Sequence, residues 1–381
     1  MTVKLFTPLT IRGVTIPNRV AIPPMDMYCA DDGHATDFHR THYGKFAFGG
    51  AGLIFVEATG VTRTGRITNG CMGIYYDSHV DALRPITAQI REMGFKSCLQ
   101  LAHGGRKAST QRAWQGNGPL TEENIAAGDE RWQVLAPSAL PFTDGWEMPK
   151  EMTRADMDEV RDAFVTGAGR ALDAGFDMVE IHMAHGYLLQ SFLTPIANKR
   201  TDDYGGSLEN RMRFPLEVAR AVRAALPDEV PLLARISATD WIDGGWEPED
   251  SVVLARALKE AGVDLVDCSS GGNMLHGATN SNLTRGPAYQ AHFAKLLREE
   301  VGIMTQAVGL IRTPELAEQL LQEGQADLIA VGRQALFNPY WPHHAAEKLG
   351  VTDWETWPAP YAWWLSKWKR GLASMDEDPL A

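Results

Sequence analysis

The stretch TRADMDEVRDAFVTGAGRALDAGFDMVEIH, residues 153–182, decides the fold because it contains one complete helix-and-strand repeat. Thr153 is a suitable N-cap residue, and acidic residues follow it in the first turn of the predicted helix. Gly175 then provides a stop signal, and residues 178–182 form an apolar run of strand length. The stretch therefore predicts a helix over 154–174 that leads into a buried strand.

The same alternation extends along almost the whole chain. Apolar runs of strand length occur at 19–25, 53–58, 97–101, 178–182, 231–237, 265–269, 303–308 and 328–331. Segments of helical periodicity are found at 37–48, 78–93, 154–174, 208–225, 248–261, 288–301, 314–323 and 339–349. Continuously apolar strands that alternate with helices indicate a parallel sheet covered on both faces, and eight such units indicate a closed barrel. We therefore predict an α/β protein, a (β/α)8 TIM barrel that forms a single domain over residues 1–381.

Three segments fall outside the repeats. Residues 3–18 contain a short hairpin at 10–17, which we expect to cap the bottom of the barrel. Residues 104–152, after the third strand, are too long for an ordinary loop and indicate a lid on the catalytic face. The tail at 352–370 is aromatic, and six of the 11 tryptophans lie between residues 341 and 368. The tail predicts a subunit interface or a wall of the substrate pocket, with packing on its own barrel as the alternative.

Composition and charge argue against several classes of protein. A chain with 44% hydrophobic and 22% charged residues is ordinary for a globular protein, and a formal net charge of −12 without a run of Lys or Arg argues against nucleic acid as a partner. No window approaches the roughly 20 apolar residues of a membrane span. The first residues, MTVKLFTPLT, lack the features of a signal peptide, so we expect a cytoplasmic protein. The four cysteines form no CxxC pair, so neither disulfides nor a zinc or iron–sulfur site is predicted.

The carboxyl ends of the eight strands meet at one face of such a barrel, where barrel enzymes place their active sites. His182 and His185 both belong to this face and could ligate a metal, but no HExxH pattern or clear third ligand accompanies them. Two neutral imidazole N–H groups aimed at one carbonyl oxygen are the better interpretation, and ordinary loop histidines are the alternative. We therefore predict no metal. Most of the residues predicted at this face are polar, which is unusual after such apolar strands. They are Asp26, Tyr28, Ala58, Thr59, Gln100, His103, His182, His185, Tyr187, Arg235, Ser269, Ser270, Gly309, Gly332 and Arg333.

A phosphate-bearing ring would fit this face. Gly309, Gly332 and Arg333 follow strands seven and eight, the corner where barrels characteristically bind phosphate. Arg235 lies inside the apolar strand LLARIS, which predicts either an electron-rich ligand or an internal ion pair beside it. With Gln100 at the edge of the ring, flavin mononucleotide fits these positions. Pyridoxal phosphate would need a lysine at a strand end, and none of the predicted strand ends has one.

Long blocks of the chain also resemble the old yellow enzymes, which are FMN-dependent ene-reductases on a (β/α)8 barrel. The most specific block is IHMAHGYLLQSFLTPIANKRTDDYGGSLENRMRF (181–214). Within that family, the chain is most similar to the bacterial branch that forms homodimers or homotetramers. The other blocks are LFTPLTIRGVTIPNRVAIPPM (5–25), FVEATGVTRTGRI (55–67), LQLAHGGRKA (99–108), RISATDW (235–241), QAVGLI (306–311) and DLIAVGR (327–333).

The resemblance implies roles for individual residues. His182 and His185 match the pair that binds the carbonyl oxygen of the substrate, Tyr187 matches the proton donor to its Cα, and Tyr28 matches a second tyrosine over the substrate. The implied reaction is ping-pong, in which NAD(P)H reduces FMN and leaves, and an activated alkene then takes hydride at Cβ. The positions that match flavin contacts are Pro24, Met25, Ala58, Gln100, Arg235, Gly309, Gly332 and Arg333.

The chain departs from the family pattern at two positions. Asp26 stands where relatives commonly have Cys or Thr, which donate a hydrogen bond to the flavin. We therefore expect Asp26 to be a cofactor-binding and catalytic residue, either protonated and donating or ionised and lowering the flavin potential. Leu365 stands where the bacterial branch usually has an arginine that reaches into the neighbouring subunit.

Three enzymatic interpretations follow. The leading one is reduction of small-molecule alkenes activated by a carbonyl or nitro group, with FMN as cofactor and NAD(P)H as reductant. The main alternative is an oxidative flavoenzyme, a dehydrogenase or demethylase with Asp26 near the flavin. The least favoured is a metal-dependent lyase or hydrolase that uses His182, His185 and Asp26. The residues name neither the natural substrate nor the preferred nicotinamide nucleotide.

Overall fold

A computed structural model describes residues 2–273, 285–351 and 356–372 of the chain. Eight strands pair in parallel and close into a barrel in chain order, which confirms the predicted (β/α)8 architecture. The first strand is shorter than the predicted 19–25 because Pro23 and Pro24 have no N–H to donate to a neighbouring strand. The strands are β1 (Val20–Ile22), β2 (Leu53–Gly60), β3 (Lys96–Ala102), β4 (Met178–Met183), β5 (Leu232–Ser237), β6 (Leu265–Ser269), β7 (Met304–Val308) and β8 (Leu328–Ala330).

The helices that cover the barrel also lie where helical periodicity predicts them. Thr153 and Thr313 accept hydrogen bonds from backbone N–H groups in the first turns of their helices, as N-caps do. No helix among the described residues has the length and apolarity that crossing a membrane requires. The main helices are α1 (Asp37–Phe48), α2 (Asp77–Glu92), α3 (Arg154–Asp173), α4 (Leu208–Ala225), α5 (Pro248–Glu260), α6 (Ala291–Val301), α7 (Pro314–Gln322) and α8 (Trp341–Lys348). Further helices are Glu122–Ala126, Leu188–Leu193, Arg333–Phe337 and Ala359–Leu372, with 3-10 turns at Lys4–Phe6, Arg63–Gly65, Gly105–Lys107 and Ala113–Gln115.

The predicted N-terminal hairpin is present and covers the bottom of the barrel. Its strands, Leu9–Ile11 and Val14–Ile16, pair antiparallel. Arg12 at its tip forms an ion pair with Asp264, 2.7 Å away, at the start of β6. Apolar side chains from the hairpin and from the lower part of the barrel form one buried cluster, which contains Ile11, Ile16, Ala21, Leu53, Phe55, Cys98, Met178, Leu233, Leu265 and Leu328.

The insertion at 104–152 extends from β3 and has little regular structure of its own. Two short segments, Leu135–Ala136 and Lys150–Glu151, pair in parallel. Ion pairs connect the insertion to the loop after β2, since Arg63 lies 2.8 Å from Glu130. Another ion pair, between Arg112 and Asp129 at 3.0 Å, lies within the insertion.

The aromatic tail divides into two parts. Trp357 stacks on His343, with 4.2 Å between ring centroids, and therefore packs on its own barrel. In the terminal helix, by contrast, Trp363, Trp364 and Trp368 are more than half exposed. Residues 352–355 of the predicted tail lie outside the described residues.

Candidate active site

A cavity of about 510 Å³ opens at the carboxyl ends of the strands. It is bordered by Arg235 from β5, Ser269 and Ser270 from the end of β6, and Gly309, Gly332 and Arg333 after β7 and β8. The structure therefore brings the predicted phosphate corner and Arg235 into one space. Two further arginines, Arg285 and Arg312, also line the cavity, and no sequence pattern pointed to them.

Both glycines at this corner have structural reasons to be glycine. Gly309 has φ +124°, and a Cβ there would meet the Gln290 side chain at 3.0 Å. A Cβ at Gly332 would meet Pro23 at 3.3 Å and Met25 at 3.5 Å. Both glycines also line the cavity, and Arg333 forms no ion pair with the described part of the chain.

A polar layer crosses the barrel directly below this cavity. Arg235 Nε lies 3.2 Å from Asp267 Oδ2, so the internal ion pair is present, and the same arginine also borders the cavity. Gln100 donates a hydrogen bond of 2.7 Å to Glu180 Oε1. Burial, followed by the charge of Asp267, holds the pKa of Glu180 well above its usual range. Burial likewise raises the pKa of Asp267, although Arg235 opposes this.

His182 and His185 lie together after β4, with ring centroids 5.1 Å apart. His182 Nδ1 accepts a hydrogen bond of 3.2 Å from Ala184 N–H, which assigns the ring proton to Nε2. His185 Nε2 lies 2.7 Å from Ser269 Oγ. Burial and the charge of Arg235 lower the pKa of both histidines well below the usual range, so both rings are neutral near pH 7.

The loop that carries His185 is held in an unusual backbone conformation. His185 has φ +61°, and its N–H donates a hydrogen bond of 3.0 Å to Ser237 Oγ. The next residue, Gly186, donates to the Gln190 side chain, and Gln190 in turn donates to buried Asp240. This chain of hydrogen bonds fixes the orientation of the histidine loop from behind.

Tyr187 and Tyr28 lie on an apolar patch formed by Ala58, Ile67, Cys71 and Ala102. The Tyr187 ring is 5.0 Å from the His182 ring, nearly perpendicular to it. Burial, followed by the charge of Asp26, raises the pKa of Tyr187 well above its usual range, so its hydroxyl keeps its proton. The Tyr28 ring lies 6.0 Å from the ring of Trp114, which brings the insertion to the edge of the site.

Asp26 follows β1, and its carboxylate oxygen Oδ1 accepts a hydrogen bond of 3.0 Å from Ala58 N–H. Burial and the charge of neighbouring Glu57 raise the pKa of Asp26 to about 8. Pro24 and Met25 precede it and are partly buried. The residue is therefore mainly protonated at neutral pH, which favours the first of the two states predicted for it.

Sequence reasoning missed several charged residues of this region. Glu57, Glu180 and Asp267 each interrupt an apolar strand, just as Arg235 does, so the same signal was present in the sequence. Lys107 was missed because it lies in a loop. Its ammonium donates to the carbonyl oxygens of His185 at 2.8 Å and Gly272 at 2.9 Å, and burial lowers its pKa to about 7.

The described residues contain no group of three or more His, Cys, Asp or Glu side chains arranged to bind a metal ion. His182 and His185 instead face neighbours with which they form hydrogen bonds, namely Ala184 N–H and Ser269 Oγ. A barrel mouth with a phosphate corner, a buried arginine and two neutral histidines is the site of a flavin-dependent oxidoreductase.

Comparisons with known proteins agree with this class. Residues 4–351 match the NADH:flavin oxidoreductase / NADH oxidase family. An NADPH dehydrogenase of Geobacillus sp. (strain WCH70) is 45% identical over 354 residues, which cover 92% of this chain and 96% of that protein. The chain belongs to this family, and its resemblance to the old yellow enzymes is confirmed.

Solved structures give the same result. An old yellow enzyme homologue from Zymomonas mobilis superposes with a TM-score of 0.74 at 27% identity, over 90% of this chain and 92% of that chain. A 2-naphthoyl-CoA reductase superposes with a TM-score of 0.80 at 26% identity. The superposition covers 91% of this chain but only 52% of the reductase, which is the longer protein.

The residues at the mouth fit the FMN that this family uses. The two glycines and Arg333 line the cavity at the corner where a phosphate would bind, Arg333 has no ion pair among the described residues, and Arg235 is accessible from the same cavity. The Gln100 amide nitrogen donates to Glu180, whereas its side-chain oxygen accepts no hydrogen bond from the described residues. The protein is an FMN-dependent NAD(P)H oxidoreductase.

Proposed function

We propose that this protein reduces the carbon–carbon double bond of small molecules in which a carbonyl or nitro group activates the alkene. The observation that supports this most directly is the arrangement of His182, His185 and Tyr187, which offers two neutral imidazoles and one protonated phenol around one space. When bound, FMN would supply the hydride chemistry, accepting a hydride from NAD(P)H and giving it to Cβ of the alkene.

The two histidines bind the activating oxygen. His182 carries its proton on Nε2, because Nδ1 is occupied by Ala184 N–H. His185 is held by Ser269 at Nε2, so its Nδ1 is the nitrogen left for a ligand. Negative charge develops on the substrate oxygen as hydride arrives, and neutral N–H donors stabilise that charge without giving up a full proton.

Tyr187 donates the proton to Cα. Its high pKa means that the phenol is fully protonated at working pH, as a general acid must be. Tyr28 packs against the same apolar patch and would contact the substrate from there. The residues that would hold the cofactor are Pro24, Met25, Asp26, Ala58, Gln100, Arg235, Gly309, Gly332 and Arg333.

The first experiment separates the two half-reactions. The purified protein is reduced anaerobically with NADPH and then mixed with 2-cyclohexenone, while the flavin absorbance is followed. Rapid reoxidation by the enone is the expected result. A flavin that remains reduced would reject alkene reduction for this substrate class, and saturated ketones and N-methyl amines would then be tested with the oxidised enzyme.

The oxidative alternative needs Asp26 to act as a base. Its pKa of about 8 leaves most molecules with a protonated Asp26 at neutral pH, which weakens that role. Oxidation of a saturated substrate that increases above pH 8 and is lost in Asp26→Asn would favour it over alkene reduction.

We further propose that the protein is a cytoplasmic homodimer or homotetramer and that its insertion at 104–152 acts as a lid. The exposed Trp363, Trp364 and Trp368 support an interface formed by the terminal helix. The approach of Trp114 to Tyr28 supports the lid. Replacing Trp364 and Trp368 by Ala is expected to lower the mass measured by light scattering, and an unchanged oligomer would remove the interface.

A further inference from the structure

Two carboxyl groups, Asp26 in the segment after β1 and Glu57 within β2, each accept a hydrogen bond from the peptide N–H next to the other acid. Asp26 Oδ1 accepts from the N–H of Ala58 at 3.0 Å, and Glu57 Oε2 accepts from the N–H of Met27 at 2.8 Å. Each acid therefore accepts a hydrogen bond from the residue directly after the other acid: Ala58 follows Glu57, and Met27 follows Asp26. The arrangement is possible because the pairing of β2 with β3 is irregular between Val56 and Thr59.

The two acids differ in how many donors stabilise a negative charge. Glu57 is fully buried and also accepts a hydrogen bond from the Tyr43 hydroxyl, 3.0 Å from Oε1. Its Oε1 lies 3.4 Å from His39 Nε2. His39 Nδ1 accepts from Thr36 N–H, which assigns the ring proton to Nε2, but this N–H forms no hydrogen bond with Glu57 or another described residue. Asp26 has only the Ala58 N–H among the described groups.

Because two adjacent carboxylates repel one another, one proton is retained by the pair, and it resides on the acid with fewer donors. We propose that Glu57, whose carboxyl group accepts hydrogen bonds from the Tyr43 hydroxyl and from Met27 N–H, is a positioning residue that keeps Asp26 in its neutral form as a hydroxyl donor toward the cofactor. This inference rests on the proposed contact of Asp26 with FMN.

The surroundings of Asp26 agree with this assignment. Burial and Glu57 are the two largest influences on its pKa, and both raise it, whereas Ala58 N–H and the more distant Arg235 lower it. A neutral Asp26 also avoids placing a second negative charge beside the proton donor Tyr187. The titratable or charged groups that influence or are influenced by this pair are Arg235 from β5, Tyr187 after β4, Cys71 after β2, Tyr28 and Cys29 after β1, and His39 and Tyr43 from α1.

A neutral Asp26 can donate a hydrogen bond as the thiol or hydroxyl expected at this position would, and it becomes negatively charged when it loses its proton. Below about pH 8 Asp26 keeps an O–H that can donate a hydrogen bond, and above that pH it carries a negative charge. Glu57 therefore decides at which pH the electrostatic environment of the cofactor changes, although it does not reach the cavity itself.

The test is an infrared titration of the protein as purified, with isotopically labelled aspartate. The carbonyl band of protonated Asp26 is assigned by its absence from Asp26→Asn. We expect this band at neutral pH in the wild type and its loss near pH 8. In Glu57→Gln the loss should move down by about one pH unit or more, because the neighbouring charge is gone.

Two further variants provide an independent test and a control. Tyr43→Phe keeps the Glu57 carboxylate but removes one donor, so a smaller shift in the same direction is expected even if Glu57→Gln folds poorly. Glu159→Gln removes the same charge from the exposed face of α3, and it should leave the band unchanged. A band lost at the same pH in wild type and Glu57→Gln, or absent from the wild type at neutral pH, would overturn the proposal.

The flavin midpoint potential supplies the second readout. In the wild type its dependence on pH should show an inflection near pH 8, which moves with the infrared band in Glu57→Gln and vanishes in Asp26→Asn. If the band moves but no variant changes the potential, Glu57 does control Asp26, and the proposed contact between Asp26 and FMN is the part that fails.

Discussion

The lower and upper halves of the barrel interior come from the same strands but contain opposite kinds of side chain. The lower half is apolar, and the hairpin residues Ile11 and Ile16 seal it. The upper half contains Gln100, Glu180, Arg235, Asp267 and Gln306, all nearly or fully buried. Hydrophobic burial stabilises the first half, whereas burial of charged groups is costly even when they are paired.

The contrast separates stability from function within one barrel. Some atoms of the upper layer, among them Oε2 of Glu180, have no hydrogen-bond partner among the described residues. Native proteins satisfy nearly all such atoms, so a layer of this kind indicates a site adapted to a ligand above it. The ten side chains of the lower layer contain no nitrogen or oxygen atoms that would need a hydrogen-bond partner, so this layer closes the barrel without a polar ligand.

The largest expected effect is on chemistry at the upper end. Tyr187→Phe should slow reoxidation of the reduced flavin by 2-cyclohexenone about 10²- to 10⁴-fold, since a general acid contributes that much. Stopped-flow absorbance measures it, and the unfolding midpoint of the variant serves as the control for folding. A rate within a factor of two of the wild type would assign the proton to another donor, and the upper half would lose its main catalytic residue.

A cavity in the lower half should affect stability instead. Phe55→Ala removes a fully buried ring and should lower the free energy of unfolding by about 3–5 kcal/mol. Urea denaturation measures this change. Phe38→Ala, at a half-exposed ring of α1, is the matched control and should change stability far less. Equal losses in both variants would contradict the assignment of the lower layer as the stabilising core.

The phosphate corner should affect cofactor affinity without affecting the fold. Arg333→Ala should weaken FMN binding about 10- to 100-fold, the size expected for loss of one or two charge-assisted hydrogen bonds. Titration of apoprotein with FMN, followed by fluorescence, gives the dissociation constant. Arg220→Ala, at an exposed position of α4, should bind FMN like the wild type. An unchanged constant for Arg333→Ala would place the phosphate elsewhere.

The effect that is smallest per step of the measurement concerns the pH dependence of stability, which accumulates gradually with each pH unit. The pKa of Glu180 is raised in the folded state, so its contribution is present below the unfolded pKa of about 4.3 and is lost as pH rises toward the folded value. Glu180→Gln keeps an acceptor for Gln100 but cannot ionise. Across that window, its stability relative to the wild type should rise with pH by up to about 1.4 kcal/mol per unit. Parallel curves in urea would show that Glu180 is not the acid that holds the proton.

Much of this organisation could be predicted from local patterns. The strands and helices follow from apolar periodicity and caps, as the N-cap at Thr153 shows. The strand ends then predicted the polar face that carries His182, His185 and Arg235. Glu57 could not be assigned in the same way, because the irregular pairing of β2 decides whether its side chain faces the barrel interior or α1.

The sequence by itself determined the barrel, the family and the identity of the residues at its mouth, because periodicity, capping and contiguous motifs are local properties of the chain. Only the tertiary structure decided how many donors reach each acid beside β1, since the donors to Glu57 come from α1 and from the segment after β1. It also separated Trp357, which packs on His343, from the exposed tryptophans of the terminal helix. Charge state and exposure depend on neighbours that are distant in sequence, and folding alone brings those neighbours together.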